Sequence, residues 1–552
     1  MWAIIPLLSL ATSATFCYGV SPPTAILDDG TFVGAQDENT DKFLGIPFAK
    51  PPTGNLRFNV PQLPDPYSGI YNATAFGFSC PGIGSPANVT NDLQAMLDAV
   101  MLPQTAIDED CLTLNVWTPH GVREGASLPV VAWVYGGVGT TEGALGDCQE
   151  VEVVLETSSK RLSRFDGSKI VRRSIELGEP IIYVSMNYRV AAFGFIASQE
   201  VTDAGAANLG LRDQREALKW IQRYIRAFGG DPTKVTMWGE SSGANSVMFQ
   251  MVVNGGDPEG LFRGAFIESG APLALSNYTV GQASYDALVN ATNCTHTADT
   301  LDCLRQVPFE PLFEAINTPP WFDGPVPLVD GDFIADSPPN LVRTGRMAKV
   351  PYVNGNCDDE GTEFVFSMDI ENVTQVISSI NASFLKGITT GEVTQILDIY
   401  PSNVSLGSPY GTGMNDALTP EYKRMASIVG DLDFHGPRRF LLAQTSHEQP
   451  AWAFLSKRHK SLPIIGAGHE TDILNVYGPG DLTDFLVNFV NHLDPNNKTG
   501  IRWPKWTPET PKLMTFWDGD VPRNITDDTF RLEGMELLTS LGQKYPLSPV
   551  FT

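Results

Sequence analysis

The segment KVTMWGESSGANSV, residues 234–247, is the stretch from which the rest of the chain can be interpreted. Its apolar, β-branched first half predicts a strand that ends at Gly239, and the small residues Ser242, Gly243 and Ala244 allow a helix to begin close to that strand end. In this context a G-x-S-x-G pentapeptide exposes a serine hydroxyl as a nucleophile. The pentapeptide alone is weak evidence, because a Gly- and Ser-rich turn produces the same pattern by chance.

The chain before this segment predicts alternating strands and helices. Apolar runs at residues 129–135 and 180–187 end in Gly-rich or polar turns, as buried parallel strands do. Apolar residues between Leu211 and Ile225 recur at helical spacing, and Gly229 marks the end of that helix. We therefore predict an α/β fold with a large, mostly parallel central sheet and helices on both faces. In such sheets chemistry lies at the carboxyl ends of the strands.

Length and charge restrict the possible classes of protein. The chain has 552 residues, but no linker, repeat or charge run divides it, so residues 20–552 are predicted to form one domain. The net charge of −26 and the pI near 4.6 argue against binding nucleic acid or anionic membrane surfaces through charge. Apolar or neutral partners are more natural, although solubility of an exported protein explains the acidity more simply.

The amino terminus predicts export. Residues 2–14 are apolar and uncharged, too short to span a bilayer, and followed by small residues. We predict a signal peptide over residues 1–19, with cleavage after Gly19 preferred to cleavage after Ala14. No later stretch is long and apolar enough for a transmembrane segment, and ten Asn-x-Ser/Thr sequons favour the same compartment. The sequence therefore predicts a secreted, glycosylated protein.

Cysteine usage fits an oxidising compartment but does not fix the pairing. Of seven cysteines, Cys17 would leave with the signal peptide, and the remaining six allow many pairings. Spacing alone favours only a short loop closed by Cys294 and Cys303. No C-x-x-C pair exists and the seven histidines are scattered, so no metal site is predicted.

Four longer motifs carry a family resemblance: FLGIPFAKPPTGNLRF at 43–58, EDCLTLNVW at 109–117, MNYRVAAFGF at 186–195, and the run from NLGLRDQREALKW to GESSGA at 208–244. Together they resemble the type-B carboxylesterases, a family that includes cholinesterases and secreted fungal lipases. The similarity extends over about residues 21 to 552, and VNHLDPNNKTGIRWPKW and TFWDG near the carboxyl terminus favour the fungal lipase branch. The resemblance implies an α/β-hydrolase fold.

The resemblance also implies a catalytic triad. Ser241 would be the nucleophile, Glu360 in NGNCDDEGTEF the acid, and His469 in IGAGHETDILNVYG the base. The residues themselves agree less sharply: Glu360 and His469 each lie on a short Gly-flanked loop after an apolar run. Without the resemblance, a solvated turn and a surface or helix-capping histidine would be the simpler interpretations.

These three residue types suit ester hydrolysis. A serine hydroxyl is a poor nucleophile at neutral pH, so an imidazole must take its proton, and a carboxylate must orient that imidazole. We therefore predict a carboxylesterase or lipase that cleaves carboxylic esters with an apolar acyl chain through an acyl-enzyme on Ser241. The chemistry needs no cofactor.

The loop expected to bind the oxyanion departs from the family pattern. It reads YGGVGTTEG, which makes the amides of Gly137, Val138 and Ser242 the predicted donors. Val138 stands where a third glycine is expected, and a β-branched residue resists positive φ and close approach. Residues 144–163 that follow have no counterpart in the family, so this region is either a genuine insertion or sequence translated from a missed splice.

Other elements are implied by the resemblance alone. It pairs Cys80 with Cys111, around a flap, and Cys294 with Cys303. It leaves Cys148 either unpaired or bonded to Cys357. Within the flap Leu93, Met96, Leu97 and Val100 share one helical face, which would meet a lipid interface or simply dock on the core. Arg57 with Glu109, and Arg189 with Asp213, are expected as structural ion pairs. Glu240 is expected either to add negative potential beside the nucleophile or to be a buried structural carboxylate.

Two alternatives remain open on the sequence. The altered oxyanion loop is compatible with a catalytically impaired, cholinesterase-like binding or adhesion protein. A narrow esterase for sterol or phenolic esters is the second alternative.

Overall fold

The structure of the protein is a computed structural model that describes residues 21–82, 106–137, 165–318, 326–478, 480–497 and 500–546. Four predicted features lie outside these residues: the signal peptide at 1–19, the apolar face of the flap, Val138, and the segment at 144–163 with Cys148.

The strands of the described residues form two sheets. The bounds are β1 Thr24–Leu27, β2 Asp29–Val33, β3 Ala35–Asp37, β4 Thr40–Pro47, β5 Ser68–Asn72, β6 Thr113–Pro119, β7 Leu128–Val134, β8 Ile182–Met186, β9 Gly230–Glu240, β10 Gly264–Glu268, β11 Tyr352–Cys357, β12 Ala451–Lys457, β13 Lys512–Trp517 and β14 Arg523–Asp527. Strands β1, β2 and β5 form a small sheet, and the other eleven form the central sheet in the order β14-β13-β12-β11-β10-β9-β7-β8-β6-β4-β3.

The central sheet is parallel in its middle and antiparallel at its edges. Neighbouring strands from β13 through β7 to β8 are parallel, whereas β14, β6, β4 and β3 join antiparallel. The apolar runs predicted as strands became β7 and β8, and every residue of β8 is buried. Strands buried on both faces read as continuous apolar runs because no position meets solvent.

Helices surround this sheet. Their bounds are α1 Gly167–Glu176, α2 Ala191–Phe195, α3 Gln199–Asp203, α4 Leu209–Tyr224, α5 Ser242–Val252, α6 Gln282–Ala291, α7 Thr300–Gln306, α8 Phe309–Ile316, α9 Pro338–Arg343, α10 Thr362–Val365, α11 Val373–Ser379, α12 Thr390–Ile399, α13 Tyr422–Gly430, α14 Gly436–Thr445, α15 Ile473–Val476, α16 Asp481–His492 and α17 Leu532–Lys544. Within the described part of the chain, no helix is both long and apolar enough to cross a bilayer.

Two helix pairs hold the middle of the sheet. Helices α1 and α16 pack on each other and on the strands around β7 and β8, while α4 and α5 pack together against β9. The helix predicted from Leu211 onward is α4, which passes into a short 3-10 turn and ends at Gly229 with φ +82°. Its end is therefore the left-handed position that glycine adopts without strain.

A second hydrophobic cluster lies beyond the sheet, formed by α10 to α13 and α17. Helices α13 and α14 are joined by a π-helical segment, Asp431–His435, in which all five residues are buried. Such wide turns are frequent at functional sites. This segment brings Phe434 towards the carboxyl ends of the parallel strands.

Candidate functional site

The predicted nucleophile lies on the turn between β9 and α5. Ser241 has φ +56° and ψ −128°, an unfavourable conformation for a residue with a side chain. Such strain costs roughly 1–3 kcal/mol and persists where surrounding structure enforces it. A Cβ on Gly239 would lie 2.5 Å from the carbonyl oxygen of Gly243, and a Cβ on Gly243 would lie 2.2 Å from that of Val134. The two glycines are needed because helix and strand approach so closely.

The structure brings all three predicted triad residues together. His469 Nε2 lies 2.8 Å from Ser241 Oγ, and His469 Nδ1 lies 2.6 Å from Glu360 Oε2. None of the three side chains is more than 7% exposed. Because the Glu360 carboxylate can only accept, Nδ1 carries the proton and Nε2 is free to accept the proton of the serine hydroxyl.

Glu360 is held in place by two further donors. The hydroxyl of Ser269, which directly follows β10, donates to Oε1 at 2.6 Å, and the backbone N–H of Cys357 donates to the same oxygen at 2.7 Å. These bonds occupy Oε1 and leave Oε2 for His469. The carboxyl group is fully buried. The interpretation of this acidic stretch as a solvated turn is therefore wrong in the structure.

Asp359 joins the loop of the acid to the loop of the base. Its backbone N–H donates to the carbonyl of Ala467, and its Oδ2 accepts from the Ala467 N–H, both at 2.9 Å. Oδ2 also accepts from Lys460 Nζ at 2.5 Å, while Oδ1 accepts from the N–H of Tyr410 at 2.8 Å. Because Ala467 lies two residues before His469, this pair of hydrogen bonds between Asp359 and Ala467 fixes the distance between the loop of the base and the loop of the acid.

The imidazole sits in an apolar cage with negative charge at one end. The rings of Phe364 and Phe434 pack on His469 with centroid distances of 5.1 and 4.9 Å. Burial by itself lowers the pKa of His469, but the charge and hydrogen bond of Glu360, with smaller contributions from Glu470 and Glu363, outweigh burial and raise that pKa to about 9. The surroundings therefore stabilise the imidazolium that forms when the base takes a proton.

Glu240 is buried beside the base, with Oε1 3.4 Å from His469 Nε2. Glu240, His469 and Glu470 place possible ligand atoms within 4.8 Å of one another, the one such group among the described residues. Two carboxylates and an imidazole could hold a divalent cation, but Nε2 of this imidazole is already bonded to Ser241. The arrangement is better suited to proton transfer than to metal binding.

The loop after β7 approaches the nucleophile closely. A Cβ on Gly136 would lie 2.8 Å from the Cβ of Ser241, and Gly137 has φ +90°, which only glycine adopts readily. Ser242 is the first residue of α5, where backbone N–H groups have no partner within the helix. Two of the three predicted oxyanion donors thus flank Ser241, and the third, Val138, lies outside the described residues.

The expected scaffold elements are present. Disulfides join Cys80 to Cys111 and Cys294 to Cys303, whereas Cys357 is a free, buried thiol. Two buried ion pairs are formed, by Arg57 with Glu109 at 2.5 Å and by Arg189 with Asp213 at 2.6 Å. None of these groups touches the serine or the imidazole through a hydrogen bond of its own.

Sequence reasoning missed the residues that surround the triad, among them Ser269, Asp359 and Phe434. Ser269 follows a buried strand and precedes a glycine, the same local signal that supported Glu360 and His469, so it could have been found. Asp359 gave no signal separable from its acidic neighbours. Phe434 was hidden because a π-helical segment has no distinctive sequence period.

Comparison with known proteins gives consistent results. A family model described as the carboxylesterase family matches residues 23–529. The secreted triacylglycerol lipase LIP1 of Gibberella zeae is 35% identical over 548 residues, covering 94% of this chain and 90% of that protein. Lipase 2 of Diutina rugosa is 37% identical over 519 residues, covering 88% and 90% respectively.

Solved structures agree on the fold. The crystal structure of Aspergillus niger EstA has a TM-score of 0.79 and 24% identity, covering 95% of this chain and 99% of that one. A pNB esterase structure has a TM-score of 0.73 and 24% identity, covering 93% and 99%. With the strand order above, these similarities confirm the predicted α/β-hydrolase fold.

Proposed function

The chain belongs to the carboxylesterase family and is a carboxylic ester hydrolase, as its motifs predict, and from this premise we propose that it cleaves esters through an acyl-enzyme on Ser241. The observation that carries the proposal is the pair of short contacts at His469, 2.8 Å to Ser241 Oγ and 2.6 Å to Glu360 Oε2. A buried relay of this geometry serves nucleophilic attack, because base and nucleophile are already within hydrogen-bond reach.

In the first step, Ser241 Oγ attacks the ester carbonyl carbon while His469 Nε2 takes the hydroxyl proton. The resulting imidazolium is stabilised by Glu360, which keeps its proton-free form and holds the ring in one tautomer. His469 then returns the proton to the departing alcohol oxygen, and the acyl group stays on the serine. Water, deprotonated by the same imidazole, then attacks the acyl carbon. The bond to Ser241 Oγ breaks, His469 returns the proton to Oγ, and the carboxylic acid is released.

The negative oxygen of the tetrahedral intermediate needs donors that face it. We assign this role to the backbone N–H groups of Gly137, Val138 and Ser242. The close approach of the loop after β7 to the nucleophile and the position of Ser242 as the first residue of α5, directly after Ser241, support this assignment. Loss of one such donor typically lowers turnover by roughly 10² to 10³.

We further propose that the substrates are lipid or other apolar esters and that the protein acts outside the cell. The names of the lipase relatives, one of which is a secreted triacylglycerol lipase, support both statements. The aromatic surroundings of the imidazole and the acidic surface fit neutral, apolar substrates. Acyl-chain preference would separate a lipase from a narrow esterase.

The test compares the purified protein with its Ser241→Ala variant on short and long p-nitrophenyl esters and on tributyrin. We expect hydrolysis by the wild type alone, and labelling by a fluorophosphonate probe that requires Ser241. His469→Ala serves as a second variant, which should lose hydrolysis while keeping the nucleophile. Equal hydrolysis by wild type and Ser241→Ala would refute the acyl-enzyme.

A further inference from the structure

Two buried carboxyl groups beside the triad have no role in the mechanism above. Glu268 is the last residue of β10, and Asp472 directly precedes α15. Both side chains are fully buried. Trp238 Nε1 donates to Glu268 Oε1 at 2.5 Å, but Glu268 Oε2 and both oxygens of Asp472 accept no hydrogen bond from an N–H or O–H group of any other residue in the described part of the chain. The Asp472 carboxyl instead meets the thiol of Cys357 and the carboxyl of Glu268. Neither carboxyl forms a salt bridge with any described Lys or Arg.

Each of the two carboxyls adjoins a residue that contacts the support of the triad acid. Glu268 precedes Ser269, the donor to Glu360. Asp472 follows Thr471, whose hydroxyl lies 3.5 Å from Cys357 Sγ, and the N–H of Cys357 is the other donor to Glu360. The charge of Glu360 also acts on Asp472, and Asp472 meets Glu268, so the unexplained pair lies next to the acid of the triad.

The charged and titratable groups around the pair are almost all acidic or neutral. Glu360, Cys357 and His469 act on Asp472, and Tyr477, which stacks on the ring of Trp238, faces Glu268. Glu240, the neighbour of Glu268 across the parallel strands, directs its carboxyl towards His469. Besides burial, Asp166 and Tyr183 in turn raise the pKa of Tyr477, the first through its charge and the second also through a hydrogen bond. His469 is the one group in this set that can become a cation.

The carboxyl groups of Glu268 and Asp472 lie within hydrogen-bonding reach of each other. Two buried carboxylates in contact, without a cation to compensate them, cannot both ionise. A proton held between them converts repulsion into a hydrogen bond and supplies the donor that their oxygens lack. We propose that Glu268 and Asp472 share one proton above neutral pH and thereby act as a positioning pair that keeps one negative charge behind Glu360. This inference rests on the proposed function, because its kinetic consequence runs through His469.

The direction of each titration agrees with this geometry. Burial, followed by the charge of Asp472, raises the pKa of Glu268 well above its ordinary value. Burial and the charge of Glu360 raise the pKa of Asp472 to about 7, although His469 and Cys357 oppose this shift. Both pKa values lie above those of free carboxyls, so the pair loses its first proton near neutral pH and retains the second well beyond it.

The functional consequence concerns the charge felt by His469. One negative charge near the triad acid favours the imidazolium, whereas two would hold the imidazole protonated over a wider range of pH and delay its use as a base. By sharing one proton, Glu268 and Asp472 together carry one negative charge next to Glu360, rather than two or none. In general, a unit charge at roughly 10 Å in an effective dielectric of about 20 shifts a pKa by roughly one unit, which sets the scale of the expected effect.

Three variants distinguish the possible charge states: Glu268→Gln, Asp472→Asn and the double variant. In either single variant, the amide supplies permanently the donor that the shared proton supplied, and the charge of the pair stays at one. In the double variant the charge becomes zero. We therefore expect the acid limb of the pH profile of kcat/KM to be unchanged in both single variants and to move down by roughly one pH unit in the double variant.

The other outcomes overturn the proposal. If both carboxyls were ionised, each single variant would already move the limb. If both were neutral, the double variant would leave it in place. Glu363→Gln is the control that shows whether the assay detects the loss of one charge. The charge of Glu363 also raises the pKa of His469, so its loss should shift the acid limb to lower pH.

A second measurement does not depend on catalysis. In infrared difference spectra at about pH 8.5, far above the ordinary pKa of a carboxyl, wild type minus Glu268→Gln should show the carbonyl stretch of a protonated carboxylic acid. The same band should appear in wild type minus Asp472→Asn. Its absence would refute the shared proton even if the enzyme hydrolyses esters as proposed, and its presence in a protein without Ser241-dependent hydrolysis would refute only the proposed function.

Discussion

Replacing Glu360 by Gln tests the electrostatic part of the proposed triad. The variant keeps the size of the side chain and can still accept the hydrogen bond of Ser269, but it removes the charge that faces His469 at 2.6 Å. The ordinary pKa of a histidine is 6.5 and that of His469 is raised to about 9. Glu360 is the largest of the contributions that raise it.

The magnitude follows from this shift. A rise from 6.5 to about 9 corresponds to roughly 3 kcal/mol of stabilisation of the imidazolium over the neutral ring. Because burial acts in the opposite direction, the carboxylates together contribute at least this much. Losing the charge of Glu360 should therefore lower kcat/KM by roughly 10² to 10³, and by up to about 10⁴ if the ring also changes tautomer.

The raised pKa of His469 also determines how kcat/KM changes with pH. His469 must be neutral to accept the proton of Ser241, so kcat/KM of the wild type should rise with pH up to about 9 and then level off. In Glu360→Gln the pKa of His469 should fall well below 9, because burial still lowers it and only the smaller contributions of Glu470 and Glu363 still raise it. The acid limb of the pH profile then moves to lower pH, so the two proteins must be compared on their plateaus.

The assay is hydrolysis of p-nitrophenyl butyrate from pH 6 to 10, with the spontaneous rate subtracted and folding checked by circular dichroism. Glu363→Gln is the matched control. It removes a negative charge that contributes less to the pKa of His469, so the acid limb of kcat/KM should shift only slightly to lower pH. A plateau for Glu360→Gln within tenfold of the wild type, or an acid limb that does not move, would refute this role of Glu360.

Three further changes have distinct expected outcomes. Gly136→Ala should lower kcat/KM by more than about 100-fold and cost about 1–3 kcal/mol in stability, because the added methyl group would lie 2.8 Å from the Cβ of Ser241. Gly391→Ala is the control: its methyl group would meet nothing within 4 Å, so activity should be unchanged. Asp213→Asn should cost about 3–5 kcal/mol in urea unfolding, because it leaves the buried guanidinium of Arg189 without its carboxylate. A loss below about 1 kcal/mol would contradict that account. Cys294→Ala removes the disulfide to Cys303, which closes a loop with a sequence separation of 9, and should lower the free energy of unfolding by about 2.5 kcal/mol. The measurement is urea unfolding under non-reducing conditions. An unchanged midpoint would count against the disulfide.

Local sequence was sufficient for the middle of the sheet and for the nucleophile turn. Strands β7 and β8 are predominantly apolar runs, and α4 has both a periodic apolar face and a glycine stop, so short-range chemistry determines these elements. The family motifs, which are long and ordered, then led to Glu360 and His469. Without them, an acidic stretch flanked by glycine was indistinguishable from a surface turn.

The environment of those residues could not be predicted in the same way. That Ser269 would donate to Glu360, that Asp359 would tie two loops together, and that Phe434 would cover the imidazole are all contacts between segments far apart in the chain. The buried pair Glu268 and Asp472 belongs to the same class, since neither residue carries any local sign that it will meet another acid.

What the amino-acid sequence determined by itself is therefore the alternation of strands and helices, the strained serine turn, and the identity of the groups that can react. These depend on side-chain periodicity, glycine positions and functional groups, all of which are local. Only the tertiary structure decided how those groups act on one another. The charge felt by His469 depends on distance and on exclusion of water, and both arise only when the carboxyl ends of five parallel strands, β7, β9, β10, β11 and β12, are brought to one edge of the sheet.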